Sequence, residues 1–426
     1  MFNFNTQVTT FAAMKNLLSI LIVIYTFQAF SQKSQTNLKL ENASSAESLQ
    51  KLKWGTDSTF EVITWNIERF PKNGQTTIDS VGKIISALNI DLWALQEIND
   101  SNKLKQAIAK LPNYKAVFGT ASFRGLAYVY NTKTMDSVEV FNIFSQRQYS
   151  SPLPRSPLII KFKYKDSTIR VINNHYKCCG NGIWDKSNLN DEESRRYKGH
   201  RLIMDYVDSL WKDERVILVG DLNDILTDGR SNNIFQKELD DTSNYRFVDL
   251  SVAKDASKNW SYPTWPSHLD HILINQALIK QFKQPTTEVS CIQVDQNLPN
   301  KWSDYDRMIS DHRPVGFKFE FLMNQTPKDT TIKDTTNSIS KEGKVLNYSI
   351  YPNPTKSLLN IKIQGKQGVT KVEIRDVLGK IIVQKNTSEN TTDIEWNFDL
   401  PFSGTYFVQF WENTNLLKTE KVIRTE

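Results

Sequence analysis

From Thr59 to Phe321 short apolar runs recur along the chain, and several of them stop at an acid, an amide or a histidine. FEVITWN (Phe60 to Asn66), DLWALQE (Asp91 to Glu97), Gly125 to Tyr130, Leu158 to Tyr164, Ile169 to His175, Val216 to Gly220, Leu269 to Ile274 and Val315 to Phe321 read as strands. Ile78 to Leu88 (IDSVGKIISAL) spaces its apolar residues as a helix does, and Glu192 to Trp211 is a second helix candidate. Many strands with interposed helices predict a mixed α/β domain with stacked sheets over residues 58–321.

The pattern then breaks. Residues 322–345 contain NQTPKDTTIKDTTNSISKEG, rich in Thr, Lys, Asp and Ser and nearly free of large apolar residues, which is the composition of a flexible linker. Residues 346–426 resume with short alternating runs punctuated by turn residues, predicting a small all-β sandwich.

The N-terminus carries an address. MKNLLSILIVIYTFQAFSQ, starting at Met14, has a basic Lys15, an apolar stretch from Leu17 to Phe27 and a small-residue cleavage pattern at Ala29-Phe30-Ser31. This predicts a secretory signal peptide over residues 1–31, with Met14 as an alternative start, followed by a polar spacer over 32–57. No other stretch is apolar enough to span a bilayer, so the mature form is expected to lack an integral membrane segment and to be monomeric. A net charge of +6 permits a polyanionic substrate without requiring one. Of the three cysteines, Cys178 or Cys179 is expected to pair with Cys291, because adjacent cysteines bridge only through a strained ring; three reduced buried thiols are the alternative.

Chemistry concentrates at the strand ends. Asn66 closes the first run, Glu97 the second, Asn174 and His175 a later one; Asp221 and Asn223 follow VILVG in GDLND, Asp270 sits in HLDHILI, and Asp311 precedes His312 in SDHRP. Polar groups just beyond strand ends form the ligand crevice of open α/β sheets. Glu97 and Asp311, with Asn66, offer oxygen ligands for a hard divalent cation. Two histidines flanked by carboxylates can move protons. Each of these alone is as well explained by a cap or an Asx-turn; the set together fits phosphate-ester hydrolysis. His200 and His271 read as surface or packing residues, and His268 is open between packing and the site. Arg195 and Arg196 read as a solvated helix face. Trp260, Tyr262 and Trp265 either stack on bases or pack in the interior.

In order, WNIE, LQE, NNH, GDLND, LDHI and SDHRP resemble the endonuclease/exonuclease/phosphatase superfamily, over about Phe60 to Phe321. The resemblance implies a four-layer α/β sandwich of two packed β-sheets flanked by helices. It implies Mg²⁺ or Mn²⁺ held by Glu97, Asn66 and Asp311, with Ca²⁺ as a structural ion. Asp221 would position or deprotonate the attacking water, and Asn223 would hold Asp221 and bind phosphate. His312, oriented by Asp270, would polarise the phosphate or accept a proton. His175 would contact the phosphate or protonate the leaving oxygen, and Arg124 and Asn174 would bind substrate. DNA or RNA is the favoured substrate; phospholipid or inositol phosphate esters, or an inactive surface-binding protein, are the alternatives. In the tail, YPNP (Tyr351 to Pro354), EIRDVLGK, SGTYFVQF and TEKVIR resemble a type A sorting domain, which implies the type IX secretion machinery of Bacteroidetes-type bacteria as a partner and a secreted or cell-surface location.

Overall fold

The computed structural model describes Leu49 and residues 52–119, 125–321, 347–364, 368–376, 381–387, 393–401, 404–413 and 415–425. The expected signal segment 1–31, most of the spacer 32–57, Arg124 and the linker 322–345 lie outside the described residues. The chain divides into two compact units. No helix among the described residues is long and apolar enough to cross a membrane.

Among the described residues the larger unit carries twelve strands: β1 (Phe60–Phe70), β2 (Leu92–Ile98), β3 (Tyr114–Phe118), β4 (Ala127–Asn131), β5 (Met135–Asn142), β6 (Leu158–Tyr164), β7 (Ser167–His175), β8 (Arg215–Asp221), β9 (Tyr245–Phe247), β10 (Asp270–Asn275), β11 (Glu288–Cys291) and β12 (Val315–Phe319). They form two six-stranded sheets, ordered β11-β12-β1-β2-β4-β3 and β5-β6-β7-β8-β10-β9. Each sheet is mixed, with one parallel pair among the pairs described, β1 with β2 and β7 with β8. A parallel pair needs a crossover, and helices Gly74–Leu88 and Glu192–Leu210 supply the two.

The period of two decides which side chains meet between the sheets. Phe60, Val62, Leu92, Ala94 and Tyr128 of one sheet share a buried cluster with Leu158, Ile160, Val171, Ile217, Val219, Ile272 and Ile274 of the other. Each buried Val, Leu, Ile or Phe among them contributes about 1.5–3 kcal/mol. The Tyr128 hydroxyl is buried among them and donates to the carbonyls of Leu158 and Val171, 2.8 Å each, tying one sheet to the other. The alternate residues Ile63, Trp65, Trp93 and Leu95 face outward, where Ile78, Val81, Ile84 and Ile85 of the first helix cover them. The result is two packed sheets flanked by helices, as expected.

The expected elements form, with ends displaced by a few residues. Helix Ser101–Ile108 and strands β3, β5, β9 and β11 go beyond the sequence reading. The Ser101–Ile108 helix starts where Asp100 accepts the amides of Asn102 and Lys103, a cap that SNKLKQAI alone advertises weakly.

Two expectations fail. The predicted bridge to Cys291 is not formed: Cys291 is buried in the inter-sheet core opposite Val315, whereas Cys178 and Cys179 share a surface loop with their sulfurs 2.9 Å apart. Arg196 is not on a solvated face either. It is 3 % exposed, with its guanidinium paired to Glu193 (3.1 Å) and Asp224 (2.8 Å). Such burial is tolerated because every charge has an opposite partner.

Beyond the larger set of strands, the described residues from 347 to 425 are all-β. Strands β13 (Tyr348–Tyr351), β14 (Leu358–Gln364) and β17 (Asp393–Asp399) form one sheet, ordered β13-β14-β17. Strands β15 (Lys371–Asp376), β16 (Ile381–Asn386), β18 (Gly404–Glu412) and β19 (Asn415–Arg424) form the other, ordered β16-β15-β18-β19. Leu359, Ile361, Phe398, Val372, Val408 and Phe410 fill the core of this sandwich.

Candidate active site

The site grows out of strand register. His175 pairs with Asp221 across β7 and β8, and Asp270 pairs with Asp221 across β8 and β10. The three residues therefore stand abreast on neighbouring strands. They share parity with the buried Val171, Val219 and Ile272, so all three face the first sheet. Gly220 permits this close arrangement: its φ is +150°, and a Cβ there would lie 2.0 Å from the Asn174 carbonyl oxygen.

Asp221 is the hub. Its Oδ2 accepts from Asn66 Nδ2 at 2.9 Å, across the gap between the sheets, and lies 3.5 Å from His175 Nε2 and 3.8 Å from His312 Nε2. Its Oδ1 accepts the Asn223 amide at 3.1 Å. Asn223 adopts a left-handed φ of 53°, which folds the chain back over the strand end, and its Nδ2 reaches the Tyr176 carbonyl at 3.4 Å.

Glu97 breaks the alternation. By parity it belongs with Trp93 and Leu95 on the helix-facing side, but its φ is 59°. That left-handed residue aims the carboxylate back across the strand end, where Oε1 meets Asn66 Nδ2 at 3.3 Å and Oε2 accepts the Arg69 amide at 2.9 Å. Asn66 thus donates to two carboxylates, which orients its amide and leaves Oδ1 buried without a protein partner.

His312 is clamped. Its Nδ1 bonds Asp270 Oδ2 at 2.7 Å, its carbonyl accepts from Trp65 Nε1 (3.0 Å) and Tyr305 OH (2.8 Å), and its amide donates to Ser310 Oγ at 3.0 Å. Ser310 in turn donates to the Asn66 carbonyl at 2.7 Å, joining the end of β1 to this loop. The Tyr262 ring lies over the imidazole with centroids 4.7 Å apart.

The two histidines differ in charge. Burial pushes His175 down to about 4, outweighing the nearby Asp221, and leaves it neutral at neutral pH. Burial alone would also lower His312, but the carboxylates of Asp270 and Asp221 raise it to about 10, so it is an imidazolium. Asp311 is raised to about 6, chiefly by burial and further by the charges of Glu68 and Glu97. Beside them opens a cleft of about 420 Å³ lined by Arg69, Glu97, Gly125, Arg155 and His175.

Asn66, Glu97, His175, Asp221, Asn223, Asp270, Asp311 and His312 are thus brought together. Asn174 is not: alternation turns it away from His175, and it is buried with Nδ2 3.5 Å from the Ile172 carbonyl. Its neighbour Asn173 takes the inward place, donating to the carbonyls of Leu95 and Ala127 and accepting from Gln96. Ser310, Tyr305, Trp65 and Arg155 escaped the sequence reading. Ser310 is the one with a local signal, since it directly precedes Asp311-His312.

The donor set fits a hard cation. Asn66 Oδ1 and Asp311 Oδ1 are buried oxygens without hydrogen-bond partners, and the Glu97 carboxylate stands beside Asn66. Orphaned oxygens among crowded carboxylates are what a divalent ion satisfies. A second cluster, Asp249, His268 and His271, brings its ligand atoms within 4.8 Å of one another. Its lone pairs are spent. His271 bonds Asp249 (2.6 Å) through Nδ1 and the Asp224 carbonyl (2.9 Å) through Nε2, whereas His268 accepts the Ser261 amide on Nδ1 and bonds Asp249 (3.0 Å) through Nε2. It anchors the residues either side of Asp270 instead of holding an ion.

The family model of the Endonuclease/Exonuclease/phosphatase family matches residues 63–312, and that of the secretion system C-terminal sorting domain matches residues 349–425. No curated protein matches the sequence. Solved structures that resemble the chain include D. rerio TDP2 complexed with a single-strand DNA product (15% identity, 62% of this chain, 100% of that one, TM-score 0.45). Others are an endonuclease/exonuclease/phosphatase from Bacteroides vulgatus (13%, 62%, 100%, 0.43) and a mannosyl-6-phosphatase from Bacteroides thetaiotaomicron (16%, 62%, 100%, 0.40). Members of the matched family are phosphoesterases and in general depend on divalent metals. The tail marks the protein for type IX export to the cell surface or the medium. With the family match spanning more than half of its residues, the chain belongs to the endonuclease/exonuclease/phosphatase family.

Proposed function

We propose that this protein is a secreted, divalent-metal-dependent phosphodiesterase that cleaves nucleic acid as an extracellular endonuclease. The observation that carries the reading is the row His175, Asp221 and Asp270 on adjacent strands, with Asn66 and His312 converging on Asp221 from the opposite sheet. Asn66, Glu97 and Asp311 would hold Mg²⁺ or Mn²⁺, which supplies charge neutralisation at the phosphate. Asp221, kept in place by the Asn223 amide and Asn66, orients the attacking water and accepts its proton. His312, held protonated and aimed by Asp270, faces the charge that develops on the phosphoryl oxygens. His175, neutral, binds the phosphate through a hydrogen bond. Arg155 and Arg69 in the adjoining cleft favour a polyanion, and Arg124, from its place in the sequence, would be a further phosphate ligand.

The aromatic segment supports nucleic acid over lipid. Tyr262 covers His312, and Trp265, in the turn closed by the Tyr262–Ser267 bridge, is 75% exposed and offers a ring for stacking. In this reading residues 1–31 are removed on export and residues 322–345 link catalytic domain and sorting domain.

The test is cleavage of supercoiled plasmid by the purified protein with magnesium or manganese, alongside chelator and His175→Ala controls. Nicking that disappears in both controls supports the endonuclease. Absence of cleavage by folded, metal-supplied protein, with turnover of inositol phosphates or phospholipid instead, overturns the nucleic-acid assignment.

A further inference from the structure

The loop that follows His175 carries adjacent thiols that the catalytic reading does not use. In an extended chain neighbouring side chains point to opposite sides. Here Cys179 has a left-handed φ of 72° and Gly180 one of 105°, and the turn brings Cys178 Sγ and Cys179 Sγ to 2.9 Å on the same side.

Cationic side chains hold that turn closed. Arg196 Nη1 donates to the carbonyls of Lys177 (3.0 Å) and Cys179 (2.7 Å), and Lys177 Nζ donates to the Cys178 carbonyl (2.8 Å). Arg196 is itself fixed by Glu193 and Asp224. A side chain at Gly180 would collide with the Glu193 carboxylate, with its Cβ at 2.4 Å from Oε1. Three successive carbonyls are thus pinned, and the thiols stay facing each other.

Neither thiol has another cysteine to pair with, although Lys177 Nζ also reaches Cys178 Sγ at 3.9 Å. The sequence holds three cysteines, and the third is sealed in the inter-sheet core, 7% exposed, where burial pushes its thiol well above the usual range. The sorting domain sends the protein out of the reducing cytoplasm.

We propose that Cys178 and Cys179 are joined in the exported protein by a vicinal disulfide that closes the turn beside His175. The two thiols lose two protons and two electrons as one S–S bond forms. The electrons pass to the disulfide of an envelope thiol oxidase, which is reduced to its dithiol by exchange. The usual objection, that neighbouring Cα atoms lie closer than the 4.4–6.8 Å typical of disulfides, is met by a turn that already places the sulfurs together. The bridge would hold the segment leading out of β7, whose Tyr176 carbonyl is bonded by Asn223 and Arg155.

The full chain exported to an oxidising periplasm, denatured without reductant and alkylated, tests this by peptide mass. The tryptic peptide from Cys178 to Lys186 is expected to be lighter by two hydrogens and unalkylated, with Cys291 alone modified; prior reduction should expose all three cysteines. A Cys291→Ser variant should keep the bridge. Alkylation of both Cys178 and Cys179 without reductant overturns the proposal. So does a crosslink from either to Cys291 or to a second chain, or loss of the bridge in the Cys291→Ser protein.

Discussion

Asp270→Asn should separate catalysis from folding. Asp270 is fully buried; one carboxylate oxygen sits 2.7 Å from His312 Nδ1, and the other has no partner. Asparagine fits the same space without the charge. A charge-assisted hydrogen bond contributes about 1.5–3 kcal/mol against about 0.5–1.5 for a neutral one. Attraction between unit charges about 4 Å apart adds about 4 kcal/mol at an effective dielectric of about 20, part of which desolvation cancels. A net loss of about 3–5 kcal/mol in holding the imidazolium lowers kcat/KM by about 10²–10⁴-fold. Stability should fall by less than this, because the loss of the His312 ion pair is offset in part by removal of a buried charge with an unpaired oxygen. The assay is hydrolysis of a chromogenic phosphodiester and of plasmid DNA, with thermal melting of the same samples. Activity within tenfold of the parent, or destabilisation by more than about 3 kcal/mol, would refute the argument.

Asp221→Asn and His175→Ala should each cost about 10²–10⁴-fold in rate with little change in melting temperature, measured on the same substrates; parental rates in either would remove that residue from the site. Glu61, at the start of β1 away from the site, is pushed up to about 8 by burial and by the Asp91 charge. Its ordinary value is 4.5, so the folded state holds a proton that the unfolded state releases between pH 4.5 and 8. That contribution is fully present below pH 4.5 and is lost as pH rises through 8, at up to about 1.4 kcal/mol per unit. Denaturant titrations followed by tryptophan emission should show stability falling over that window, and Glu61→Gln should flatten the fall; an unchanged slope in the variant would reject this origin. Trp265→Ala should weaken single-stranded DNA binding by about 1–3 kcal/mol while leaving the melting temperature unchanged; unaltered affinity would exclude Trp265 from the contact surface.

How much of this was legible in advance follows from the range over which each signal acts. Strand periodicity is local, so the sequence alone determined the alternating elements of both units and the acids, amides and histidines at strand ends. Their grouping was legible too, because a strand end is where a sheet delivers polar groups. What the tertiary structure decided is which of those groups meet. Asn173 faces inward and Asn174 outward because His175 fixes the parity of β7, a choice the tripeptide NNH leaves open. Glu97 reaches Asn66 through a left-handed backbone that no propensity marks at a glutamate. His312 owes its charge to Asp270, 42 residues away, and its position to Trp65, 247 residues away. Arg196 looked like a surface charge until the fold supplied Asp224, and Cys291 looked like a partner until the core enclosed it. Contacts between distant segments depend on how sheets pack, and packing is a property of the whole chain that no local window contains.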